Sequence, residues 1–214
     1  FGTGKGGNLN ITAELIERVR DGKWNPDDSD AYKKEKNALA ARGYYLAFQT
    51  VKKSIKTILD GTNAGEVADN DHGDWYRELF APSVTAGIVK TSDLAGYRNS
   101  QVYIKGSKHT PLNPEAVRDA MPVLFDLLKE EKEASVRAVL GHFIFVYIHP
   151  YMDGNGRIAR FLFNTMLASG GYSWTVIPVE NRDTYMAALE KASVDGNITE
   201  FAKFLGGLVK KAAK

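Results

Sequence analysis

Apolar residues recur three and four places apart along most of this chain, and that spacing predicts helices. The clearest run is Ala134 to Ile148, where Val136, Val139, Leu140, Phe143, Ile144 and Tyr147 share one side. Tyr32 to about Leu59 reads as a long helix whose buried face carries Leu39, Tyr45, Leu46, Phe48, Val51, Ile55, Ile58 and Leu59. Gly43 lies inside it at a cost of ~1 kcal/mol relative to alanine, which a second helix passing close by would explain. Pro114 to Lys129 carries Val117, Met121, Leu124, Phe125 and Leu128, and Ile158, Phe161, Leu162, Thr165 and Met166 mark another helix ending near Ala168. Shorter helices are expected at Ile11 to Arg20, Trp75 to Phe80, Asp183 to Lys191 and Ile198 to Val209.

The period breaks in a few places. Gly61 to Gly73 reads as a polar loop and Glu130 to Glu133 as a solvated junction. Gln101 to Lys105 is strand-like, Gly106-Ser107-Lys108 is a turn, and His109-Thr110 begins a return strand. Such a hairpin leaves an edge that an extended peptide can join by backbone pairing. Tyr172 to Pro178 is either a strand or an extended packing segment. The expectation is therefore an all-α domain with one β-hairpin, its core over residues 31–209. Residues 1–30 read as a linker and helix at the front of a truncated natural chain, and residues 210–214 as a frayed basic tail.

Composition narrows the functional classes. A hydrophobic content of 43% with 25% charged residues is ordinary for a globular domain. A net charge of +2 is too small for a nucleic-acid binder. The chain has no cysteine, which excludes disulfides and thiolate chemistry and fits a cytoplasmic setting. No apolar run is long enough to span a membrane.

The chemistry gathers in one stretch, His149 to Arg160. His149 falls at the end of the Ala134 to Ile148 helix, and Pro150 disfavours its continuation. Asp153, Gly154, Asn155 and Gly156 are turn formers, and the next helix starts between Gly154 and Arg157 with first-turn amides that lack partners. A helix start fed by glycines is an anion site. Arg157 and Arg160 share a face and can grip different oxygens of a polyphosphate. Asp153 is the loop's only carboxylate, best explained by a divalent cation bridging it to phosphates. Asn155 can donate to a phosphate oxygen, and His149, with an ordinary pKa of ~6.5, suits a general base. Base, metal carboxylate, anion cradle and charge clamps together indicate phosphoryl or nucleotidyl transfer.

This stretch resembles the signature of the Fic family, His-x-Phe-x-Asp/Glu-Gly-Asn-Gly-Arg-x-x-Arg, with Tyr151 standing in place of the phenylalanine. Gly96-Tyr97-Arg98 to Pro111 is similar to the family's target-binding flap. The resemblance implies a Fic-type helical domain with one β-hairpin flap that transfers AMP from ATP to a Ser, Thr or Tyr hydroxyl of a target protein. It further implies His149 as the base, Asp153 holding Mg2+ against the α and β phosphates, and Asn155 with the amides of Gly154 and Gly156 at the α-phosphate. Arg157 would bind the outer phosphates and Arg160 the γ-phosphate. Val102, Tyr103, Ile104, Lys105 and Lys108 would form the flap on which the target docks by β-augmentation. Doc-like kinases commonly lack glycine at the places of Gly154 and Gly156, so both glycines favour nucleotidyl transfer; the alternatives are transfer of another nucleotide or phosphate group, removal of AMP from a modified protein, and a catalytically silent nucleotide-binding module. Many members carry an inhibitory Ser/Thr-x-x-x-Glu-Gly/Asn helix. Glu180-Asn181 resembles its end, but Val176 stands where serine or threonine is required. An inhibitory segment is therefore expected upstream or on an antitoxin-like partner.

Overall fold

The helical spacing is realised almost throughout residues 31–213, the part of the chain that the computed structural model describes. In order come α1 (Ala31–Leu59), α2 (Ala64–Thr85), a 3-10 turn (Thr91–Leu94), α3 (Pro114–Glu130), α4 (Ala134–Ile148), α5 (Asn155–Ala168), a second 3-10 turn (Val179–Asn181), α6 (Arg182–Asp195) and α7 (Thr199–Ala212). The helix expected at Ile11 to Arg20 lies outside the described residues. No helix among the described residues is long and apolar enough to cross a membrane.

α5 is the central rod. Ile158, Ala159, Phe161, Leu162, Phe163, Met166 and Leu167 are all buried, and the helix packs against α1, α2 and α4. A rod apolar on nearly every side has to be interior. Its N-terminus therefore delivers the signature loop to the edge of the core. α1 and α2 cross closely at Gly43, where an added Cβ would lie 2.0 Å from the Leu79 carbonyl oxygen. That close approach accounts for a glycine in mid-helix. Trp75, fully buried on α2, donates from Nε1 to Ser54 Oγ at 3.0 Å, and Ser54 donates to Asp71 at 2.6 Å.

Three segments depart from the sequence reading. Most of Gly61 to Gly73 is helix, because α2 starts at Ala64. Asn63 caps it by accepting from the Glu66 amide at 3.1 Å. The buried stripe of its first turns is Ala64, Gly65, Val67, Ala68 and His72, small residues and an imidazole that carry little hydrophobic signal. The last helix runs through Lys210 and Lys211 to Ala212, where a frayed tail was expected.

The third correction is the hairpin. Among the described residues there is no β-strand, and Val102 to Thr110 is irregular. One turn bond, Ser107 N to Ile104 O at 3.1 Å, is its sole backbone pairing. The amides a return strand would have paired go elsewhere, Lys108 N to Glu190 of α6 and His109 N to Ser107 Oγ of the same turn, and a lone two-stranded hairpin is marginal in water. With no strand edge, docking of a target by β-augmentation is also excluded as the mode of partner recognition. Tyr172 to Pro178 proves to be the packing segment. Asn164 of α5 accepts from the Thr175 amide at 2.7 Å and donates to its carbonyl at 3.0 Å, and Trp174 packs edge-on to Phe48.

Candidate active site

α4 ends in an unusual way. His149 adopts the left-handed conformation, φ 56° and ψ 60°, and is the only non-glycine residue with positive φ among those described. Its amide still donates to Phe145 O at 3.0 Å. Its Nδ1 lies 3.2 Å from Val146 O, and since a carbonyl can only accept, Nδ1 carries the proton and Nε2 keeps a lone pair. Burial holds the imidazole below its ordinary pKa, aided by the positive charge of Arg98 and by His109. The Val146 bond and the Asp153 carboxylate oppose that shift.

The loop is fastened from beneath. Tyr151, 2% exposed, stacks on Tyr76 of α2 at 3.7 Å with the rings 9° from parallel. Burial pushes the phenol far above its usual pKa, so it stays neutral and fills the place of an apolar plug. Asn155, 1% exposed, accepts from the Tyr151 amide and donates to the Tyr151 carbonyl, both at 2.8 Å. Its carboxamide thus closes the turn on itself. Gly154 has φ 82°, and a Cβ there would press on the Phe80 ring at 3.0 Å and on Leu79 at 3.1 Å, so backbone conformation and close neighbours both favour glycine.

Gly154 is the cap of α5, and no side chain caps the first-turn amides. Asp153, exposed toward solvent, accepts from the Gly154 amide at 2.6 Å and pairs with Arg157 at 3.3 Å. The Arg157 guanidinium also lies 5.1 Å over the Phe80 ring and is largely buried. Burial, above all, lowers its pKa. Arg160 hydrogen-bonds Tyr185 of α6, whose phenol burial pushes up to about 12. Tyr185 in turn lies 2.8 Å from Nε2 of the fully buried His142. The first arginine therefore stands at the mouth of the loop beside Asp153, while the second reaches along the rod toward α6.

Of the expected flap residues, Val102 and Ile104 are half-buried, while Tyr103, Lys105 and Lys108 are exposed, Tyr103 to 78%. Two residues that organise this segment were not singled out from the sequence. Glu190 of α6 accepts from Ser107 Oγ at 2.5 Å and from the Lys108 amide at 2.7 Å. Nothing local marks a glutamate so distant in sequence. Arg98, 3% exposed, donates to the carbonyls of His149 at 2.8 Å, Ser100 at 2.8 Å and Leu112. A buried cation close to a helix C-terminus is the physical signal that picks it out.

A glycine-led helix start, a neutral imidazole and a guanidinium-carboxylate pair stand together on an all-helical scaffold, an arrangement that suits an anionic ligand. The model of the Fic/DOC family matches residues 45–167, more than half of the sequence, and the chain belongs to that family. It is 31% identical over 146 residues to the protein adenylyltransferase fic-1 of Caenorhabditis elegans, covering 65% of this chain and 27% of that one. It is 36% identical over 129 residues to the protein adenylyltransferase Fic of Drosophila willistoni, covering 58% of this chain and 25% of that one. The chain thus spans about a quarter of the length of these relatives. The solved structure of residues 134–508 of the C. elegans protein superposes with a TM-score of 0.74 at 21% identity, over 95% of this chain and 57% of that one. A Fic-domain signaling protein from Bacteroides thetaiotaomicron gives 0.70 at 18% identity, over 96% and 79%. Both likenesses establish the shared fold.

Proposed function

We propose that this chain is a protein adenylyltransferase that transfers AMP from ATP to a hydroxyl side chain of a target protein. The observation that carries the reading is the state of His149. Its Nδ1 is committed to Val146 and its pKa is depressed, so at neutral pH Nε2 offers a lone pair, with the Asp153 carboxylate acting on the ring from the loop that leads into the uncapped start of α5. The similarity to proteins named adenylyltransferases supports the same reading.

In the step we propose, Nε2 takes the proton of the target hydroxyl as its oxygen bonds to the α-phosphorus of ATP. The bond from that phosphorus to the bridging oxygen breaks, and pyrophosphate leaves. The α5 amides near Gly154 and Gly156 stabilise charge on the α-phosphate. Arg157 and Arg160 take the outer phosphates, Arg160 by extending from its Tyr185 contact. Asn155 acts through the turn it closes.

Mg2+ fits the donor set. Asp153 is an exposed hard-oxygen ligand, and among the described residues no group of three or more acids and imidazoles forms an all-protein cage. A cation held by one carboxylate, with substrate phosphates and water completing its shell, is the magnesium pattern. When bound, Mg2+ supplies charge neutralisation on the phosphates. Val102, Tyr103, Ile104, Lys105 and Lys108 are proposed as target contacts through side chains, with exposed Tyr103 the natural anchor. A cysteine-free enzyme working on ATP and Mg2+ suits the cytoplasm.

Intact mass spectrometry of candidate target proteins incubated with this chain, Mg2+ and ATP tests the proposal. The mass of one AMP is expected on the target, and His149→Ala and Asp153→Ala, each still folded, should add none. Full labelling by either variant overturns the assigned roles, and a different added mass overturns the substrate.

A further inference from the structure

The end of α4 that carries the base is unusually well stapled, and the staples come from one loop. Tyr147 O accepts from His109 Nε2 at 2.9 Å, Pro150 O accepts from the Arg98 amide at 2.9 Å, and His149 O accepts from Arg98 Nε at 2.8 Å. The same guanidinium bonds the carbonyls of Ser100 and Leu112, the two roots of the loop containing Tyr103 and Lys108. Arg98 is 3% exposed, and among the described residues no carboxylate pairs with it. A buried cation satisfied by backbone carbonyls alone is costly, and three charge-assisted bonds at one point are a heavy investment in geometry. The neighbouring Tyr97 hydroxyl reaches His72 Nε2 of α2 at 3.1 Å, so the strand of chain carrying Arg98 is itself anchored to the core.

What this geometry restrains is the left-handed peptide at His149, a conformation that non-glycine residues hold only when their surroundings impose it. We infer that Arg98 is a positioning residue for the general base: by hanging the His149 carbonyl between α4 and the roots of the loop, it fixes the direction of the imidazole and joins base and target-contacting loop into one unit. The inference rests on the assignment of His149 as base in the proposed function. It adds a residue outside the His149 to Arg160 signature.

Arg98→Met and Arg98→Lys separate positioning from folding. Each is compared with the parent by transfer kinetics and by the 15N spectrum of the His149 ring, which reports the tautomer fixed by Val146. In Arg98→Met, kcat is expected to fall by about 100-fold with KM for ATP unchanged, the loss typical of a misplaced catalytic group. The ring should give a mixture of tautomers. In Arg98→Lys the shorter ammonium cannot span three carbonyls, and both readouts should fall between parent and Arg98→Met. A folded Arg98→Met with parental kcat and ring spectrum overturns the inference, even where its Tm is lower. If Arg98→Met does not fold, parental values in Arg98→Lys overturn it. If the parent itself transfers nothing, the proposed function fails, while the ring spectra still decide whether Arg98 orients His149.

Discussion

His149 and His142 are both imidazoles that the fold keeps neutral, with opposite consequences for activity and stability. At His149 the depressed pKa suits the role proposed for it, because a base is useful only while unprotonated. The acidic limb of the pH profile of kcat/KM is therefore expected below the ordinary imidazole value of ~6.5, and activity should persist where a solvent-exposed histidine would be half protonated. A limb at or above ~6.5, measured with saturating Mg2+, would contradict the environment described for this ring. His142 has no such use. It is fully buried, its Nδ1 has no hydrogen-bond partner, and burial together with the Arg160 charge pushes its pKa down to about 3. The unfolded chain takes up a proton near pH ~6.5 that the folded chain refuses, so stability is intact above that value and is lost as pH falls toward the folded pKa. The loss is up to roughly 1.4 kcal/mol per pH unit. Urea unfolding at neutral and acid pH checks this. His142→Gln should be less stable at neutral pH yet lose less on acidification, with His72 and His149, which are shifted the same way, contributing to the remaining slope.

Among the elements, the Val102 to Thr110 loop shows where periodicity misleads. Its alternation is real, with Val102 and Ile104 turned in and Tyr103 and Lys105 turned out, yet a strand needs a ladder and the ladder was never specified. Its partner is a side chain, Glu190, that no local pattern could announce. The Ser107 and Lys108 bonds hold the Glu190 carboxyl below its usual range, so the latch is present above an ordinary carboxylate pKa and lost only in stronger acid. Glu190→Gln weakens it at neutral pH. Hydrogen exchange of the Ser107 to His109 amides is expected to quicken by about fivefold, the worth of roughly 1 kcal/mol for partly exposed bonds. Unchanged exchange would mean that the turn holds itself. The signature loop was far more legible, since Pro150, the glycines and the resumption of apolar spacing at Ile158 each state a local backbone requirement. Arg98 escaped because its role depends on three carbonyls that converge only in the fold.

On the scale of the whole molecule, the helical architecture could be read because large apolar residues mark α1, α3, α4 and α5, while α2 was shortened because small residues line its first turns. Small residues act through closeness of approach, which spacing does not display. The α1–α2 crossing makes the point measurable. Gly43→Ala would drive a methyl into the Leu79 backbone, whereas Gly206 in α7 has nothing within 4 Å of an added Cβ. Gly43→Ala is expected to cost about 3 kcal/mol and to lower Tm by roughly 10 °C. Gly206→Ala should be neutral or stabilising by up to ~1 kcal/mol. Equal thermal unfolding of the two variants would show that the crossing is looser than described.

α6 has a place in that architecture which its modest length conceals. Tyr185 reaches from it to Arg160, and Glu190 reaches from it to the turn at Ser107 and Lys108. α6 is thus tethered both to Arg160, proposed above to take an outer phosphate, and to the loop proposed above to meet a target, so a lateral push on α6 would be felt at both places together.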